Sequence, residues 1–176
     1  QYDIPFTDTT EHTCDLNSKA FAQDLDRFAR ICRTVRGLRT ARIGAIGARP
    51  AAFQTVRFSE KLLQESGITV VPVDLSDMFA RADKLDEQTA SVKDKLAEIS
   101  VYGNIPSDIP KDHVVRQAKF SVAVDDWMAE TECVASAIQC WTSMQKNYGC
   151  ASCLSMSLMG ENKMPSACEV DVAGSV

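Results

Sequence analysis

The chain has 176 residues, 45% of them hydrophobic and 24% charged, with a formal net charge of −5. That is the make-up of a globular domain able to build a core. Lys and Arg are scattered, which argues against a nucleic-acid surface. No apolar run approaches the roughly 20 residues needed to cross a bilayer, so a membrane span is not expected. The seven cysteines are an odd number, set mostly in apolar contexts, whereas a secreted disulfide framework is usually even. They suggest a reducing, cytoplasmic setting with mostly buried free thiols. The sequence opens at Gln1 with neither Met nor a signal-like segment, as a fragment of something larger would.

Residues 1–40 read as an extended lead-in with Pro5, then a first helix. Asn17 and Ser18 are cap residues, Phe21, Leu25, Phe28, Cys32 and Val35 recur at helical spacing, and Gly37 marks the end. Residues 41–176 read as an α/β domain. Arg42 to Gly47 is a short buried strand followed by a turn. Phe53, Val56 and Leu63 mark a second helix, stopped at Gly67. Ile68 to Val73 is a second buried strand ending at Asp74, and Ser76 opens a helical stretch. Val92, Leu96 and Ile99 form a stripe in a charged segment. Lys111 to Glu132 is a long helix, and Val134 to Trp141 a third apolar run. Ala151 to Met159 is helical, and Ala167 to Val172 is a fourth strand. The alternation predicts a three-layer α/β sandwich around a mostly parallel, flavodoxin- or Rossmann-like sheet of about four or five strands. Ligands of such sheets gather at the carboxyl ends of the strands. Here those ends carry Gly47-Ala48-Arg49, Asp74, Gln139-Cys140-Trp141 and Glu169-Val170-Asp171.

Glu169 and Asp171 sit in a strand-like run between Pro165 and Gly174, and strand alternation points both acids to one face. A solvated face explains this, and so does a carboxylate placed for metal or proton work. Gln139 and Trp141 flank Cys140. A Trp suits the apolar face of a sugar ring and an amide suits its hydroxyls, while a core Trp and a capping Gln explain the pair equally well. Gly44-Ala45-Ile46-Gly47 lacks the spacing of a dinucleotide fingerprint and reads as a tight turn with close backbone packing. Arg49 suits an anion, a carboxylate or an ion pair. Cys150-Ala151-Ser152-Cys153 is a C-x-x-C without a second pair at zinc-finger spacing, so packed thiols are the simpler reading beside a redox or metal role. His12 and His113 read as surface residues.

Four blocks together carry a family resemblance: Gly44 to Pro50 with Phe53-Gln54-Thr55, Ile138 to Trp141, Tyr148 to Ala151, and Pro165 to Gly174. The chain resembles the L-fucose/L-arabinose isomerase-like superfamily over nearly its whole length. The resemblance implies a piece of a metal-dependent aldose–ketose isomerase, namely its middle α/β domain without the C-terminal domain. It implies a divalent ion, usually Mn²⁺, a monosaccharide substrate and a homo-oligomer, with no nucleic-acid or membrane partner. It carries Glu169 onto the family's metal-ligating glutamate, which is also the catalytic acid/base, and Gln139 onto a substrate-contacting glutamine. Trp141 is the accompanying candidate for substrate binding. A later Asp and a distant His, the other ligands of the family, would lie beyond Val176. Asp171 does not replace the missing Asp and is taken as a support behind the ligand or as structural. On this reading the isolated fragment is inactive. A non-catalytic sugar-binding or assembly domain of the same fold is the alternative, and a thiol redox module using Cys150 and Cys153 is a third.

Overall fold

The computed structural model describes residue 4 and residues 6–176 and divides into two compact units, Gln1–Thr40 and Ala41–Val176. In the first, helix α1 (Lys19–Leu38) begins where Ser18 accepts a hydrogen bond from the Phe21 N–H. It runs one residue past Gly37, because Arg39 continues the helical backbone as its cap. Asp24 accepts from both the N–H and the hydroxyl of Thr10, which ties the irregular lead-in to the helix. Pro5 and residues 1–3 of the expected lead-in lie outside the described residues.

The second unit is a four-stranded, all-parallel sheet in the order β2–β1–β3–β4, with β1 (Arg42–Ile46), β2 (Thr69–Val73), β3 (Ala135–Ile138) and β4 (Ser166–Cys168). The alternation of strand side chains decides which layer each residue joins. Ile43, Ala45, Ala135, Ala137 and Val70 face one side, where Phe58, Leu63 and the C-terminal Val170 and Val172 complete the packing. Ile46, Val71, Val73 and Ile138 face the other, under Met78 and Phe79 of α3 (Leu75–Lys84) and Phe120, Val124 and Trp127 of α5 (Lys111–Glu130). Outside α5, α4 (Ala90–Tyr102) and α6 (Cys153–Glu161) enclose Val92, Ile99, Ala118, Val122 and Leu158. The expected sandwich and its parallel sheet are thus present.

Four local expectations change. The helix read from Phe53 to Leu63 is two pieces, a 3₁₀ turn at Gln54–Val56 and α2 (Glu60–Glu65). Arg57 is extended, and Ser59 starts a new helix by accepting from the Leu62 N–H. The fourth strand stops at Cys168, so Glu169 and Asp171 do not share a strand face. Only Cys133 and Cys140 of the seven cysteines are fully buried; Cys168, at the end of β4, is exposed, and the others lie on helices and loops. The glycine run is not a tight turn throughout, since Gly44, Ala45 and Ile46 belong to β1; a Cβ on Gly44 would stand 2.7 Å from Cζ3 of Trp127, so this strand residue is where α5 touches the sheet. No helix among the described residues is long and apolar enough to cross a membrane.

Candidate active site

In the order β2–β1–β3–β4, chain direction away from β1 reverses between β1 and β3, and open α/β sheets form a crevice at the carboxyl ends there. Gln139 sits on that crevice. Its N–H donates to the Ile46 carbonyl, its Oε1 accepts from the Ala48 N–H at 2.8 Å, and its Nε2 donates to the Trp141 carbonyl at 3.1 Å. The amide therefore braces the β1 loop against the β3 loop. Gly47 makes room for it: its φ is +87°, and a Cβ there would lie 2.5 Å from Gln139 Oε1. Arg49 closes the same loop, donating to the carbonyls of Pro50 and Phe53. A cleft of about 640 Å³ opens beside Gln139, lined also by Asp74, Ser76, Ser143 and Asn147. That volume suits a small polar ligand. Asp74 caps α3 and accepts from both the N–H and the hydroxyl of Ser76, and these bonds lower its pKa.

Glu169 is placed by an unusual turn. After β4, both Glu169 and Val170 take left-handed backbone, with φ of 57° and 59°. A β-branched residue is a true outlier there, and such conformations cost about 1–3 kcal/mol each unless the surroundings impose them. The imposing force is burial: the turn carries Val170 and Val172 into the sheet face with Ile43, Ala135 and Ala137. It also buries Glu169, which is only 4% exposed. Glu169 Oε1 accepts from the Trp141 N–H at 3.1 Å and faces the Cys168 thiol at 3.5 Å, while Oε2 is buried with no hydrogen-bond partner. Trp141 is 55% exposed and rests edge-on against Phe53, 5.2 Å between ring centres. Asp171 accepts from the Gly174 N–H at 2.9 Å and closes the final turn.

The structure thus brings Gln139, Trp141 and Glu169 to one rim, joined by two hydrogen bonds, and gives Asp171 a turn to hold. The sequence reading missed the thiols beside them. Cys140 Sγ, Cys168 Sγ and a Glu169 carboxylate oxygen lie within 4.8 Å of one another, and Cys153 Sγ is 4.0 Å from Cys140 Sγ. The available signal was adjacency: Cys140 follows Gln139 and Cys168 precedes Glu169, at the ends of two paired parallel strands. Burial, reinforced by Cys140, pushes the Cys150 thiol up to about 12. Burial and then Glu169 push Cys168 up to about 12, and Cys153 is raised by burial and by Cys140. A C-x-x-C redox pair needs a lowered thiol, and these are raised.

A family described as fucose/sulfoquinovose isomerase, N-terminal domain, matches residues 1–39. With the relatives below, this match makes the chain similar to fucose/sulfoquinovose isomerases, of which it covers a fragment. A sulfoquinovose isomerase of Alkalicoccus urumqiensis is 32% identical over 158 residues, 89% of this chain and 35% of the relative. One from Priestia aryabhattai is 29% identical over 161 residues, again 35% of its length, and one from Clostridium sp. is 26% identical over 161 residues. The chain spans about a third of the length of these curated relatives.

Proposed function

We propose that this chain is part of a divalent-metal-dependent aldose–ketose isomerase whose substrate is sulfoquinovose, the sugar in its relatives' names, or a closely related monosaccharide. The observation that carries the reading is Glu169: a buried carboxylate at the strand rim with one oxygen unpartnered. A buried polar atom without a partner costs about 1–3 kcal/mol, and a functional site is the usual reason for keeping one.

Glu169 fits a hard cation such as Mn²⁺ as one oxygen ligand. The family's other ligands lie outside this chain in the reading given above. The ion supplies polarisation of the sugar carbonyl. The chain supplies the rest. Glu169 moves a proton between the neighbouring carbons through an enediol, work that typically contributes ~10²–10⁴-fold. The Trp141 N–H holds Oε1 and so sets the orientation of that carboxylate. The exposed ring of Trp141 offers an apolar platform to the sugar. Gln139 positions rather than polarises, because both ends of its amide are already engaged, and it reaches sugar hydroxyls only with its remaining lone pair and N–H. The working form is a homo-oligomer in the cytoplasm.

The test uses the longer protein that contains this chain. Isomerisation should stop on EDTA treatment and return with Mn²⁺, and Glu169→Gln should lower kcat by about 10²-fold or more. Activity indifferent to both changes overturns the assignment.

A further inference from the structure

We propose that Cys153 is a site of reversible oxidative modification, joined to Cys140 by a disulfide when a small disulfide oxidant such as glutathione disulfide reaches it. The observation is a contact between two elements. Cys140 follows β3, Cys153 opens α6, and their Sγ atoms stand 4.0 Å apart. Both thiols are free. A disulfide needs about 2.05 Å between its sulfurs, so rotation about the two Cα–Cβ bonds has about 2 Å to close. Access differs between the partners. Cys153 is exposed and meets the oxidant, whereas Cys140 is only 2% exposed and is shielded from it. The neighbouring thiols fit less well. Cys168 faces Glu169 at 3.5 Å, and Cys150 is half-buried against the core. Glu169 takes no part in the bond.

The chemistry is thiol–disulfide exchange in two steps. The Cys153 thiolate attacks one sulfur of glutathione disulfide, forms a mixed disulfide and releases one glutathione thiolate. Cys140 then gives its proton to solvent and attacks the Cys153 sulfur, which expels the second glutathione. The two protein thiols lose two electrons in all, and one glutathione disulfide becomes two glutathione thiols. The step is a modification and not a turnover, so it has no need of the lowered thiol that a catalytic redox pair uses. The new bond closes a ring over residues 141–152, the loop that carries Trp141 together with Ser143 and Asn147 of the cleft. A ring that short restricts the loop inside it. Oxidation of a surface thiol is thereby felt along one rim of the cleft.

The test uses the full chain, reduced with a phosphine, freed of it, and incubated dilute with glutathione disulfide so that separate chains do not cross-link. Tandem mass spectrometry of the alkylated digest should find Cys140 linked to Cys153 as the main product, and dithiothreitol should reverse it. Hydrogen exchange of the amides across residues 141–152 should slow on oxidation. Cys153→Ser, at an exposed position, should abolish the link and leave Cys140 without glutathione. Cys140→Ser should instead trap Cys153 as its mixed disulfide with glutathione. Cys168→Ser should leave the link intact. Circular dichroism of each variant keeps loss of fold apart from loss of the partner thiol. The proposal fails if Cys140 and Cys153 do not link, if the main product joins Cys140 to Cys150 or Cys168, or if oxidation leaves exchange across residues 141–152 unchanged. The isomerase reading fails on a different result, activity that ignores EDTA and Glu169→Gln.

Discussion

At Glu169 the fold buries a carboxyl group with one oxygen unpartnered. Gln at this position keeps the shape and retains an acceptor for the Trp141 N–H. Glu169→Gln should therefore raise the thermal midpoint of this chain, measured by circular dichroism, even as it removes function. A lowered midpoint would mean that the carboxylate is structural. Trp141 predicts the converse pattern. Its side chain is half exposed and touches Phe53 at an edge, so Trp141→Ala should leave stability within about 0.5 kcal/mol, as for other surface changes. In the longer protein it should raise KM more than it lowers kcat, which steady-state kinetics would separate. The thiols allow a third check. With Cys150 near 12, only about one in ten thousand of its side chains is thiolate at pH 8. Alkylation followed by mass spectrometry should find the exposed Cys32 modified well before Cys150.

Single contacts decide where the elements begin and touch. Gly44 is the point at which Trp127 of α5 meets β1, and Gly44→Ala should cost about 1–3 kcal/mol of stability by overpacking. Adding Trp127→Leu should recover part of that loss, since the clash is with the ring itself. Denaturant midpoints would show both. The Asp74 cap on α3 carries a pH signature. Its carboxyl is held below the ordinary value by Ser76, so its stabilisation is complete above the unfolded carboxyl's pKa. It is lost as pH falls through the lower, folded value. Asp74→Asn should flatten the acid side of the stability profile in that window and leave the neutral side unaltered. On the outer layer, Lys95 joins α4 to α5 by pairing with Glu98 at 2.7 Å and Asp125 at 3.0 Å. Burial works against its charge, but the two acids together outweigh it and the pKa of Lys95 rises.

For the whole molecule, the division at Thr40 predicts that residues 41–176 melt as one cooperative unit after removal of the first forty. Their far-ultraviolet spectrum should equal that of the full chain less one helix. A non-cooperative melt would show that the sheet depends on the leading segment. The general architecture was legible because its signals are local. The short apolar run from Arg42, the β-branched run from Ile68, the Ser18 cap and the 3.6-residue stripes of α4 and α5 all act within one turn or one strand. The break between Val56 and Ser59 escaped because Ser59 competes as a new cap inside an otherwise helical pattern.

The sequence by itself determined that a parallel α/β sandwich would form and which strand ends would carry Gln139, Trp141 and Glu169. Hydrophobic period and turn residues are properties of neighbours along the chain. It did not determine how Glu169 would point. Alternation along an imagined strand paired it with Asp171, whereas the fold ends β4 at Cys168 and turns left-handed so that Val170 and Val172 can reach the core. Nor did it place Cys153 beside Cys140, or leave Oε2 of Glu169 without a partner. Those facts depend on distance between segments remote in sequence, and only packing sets that distance.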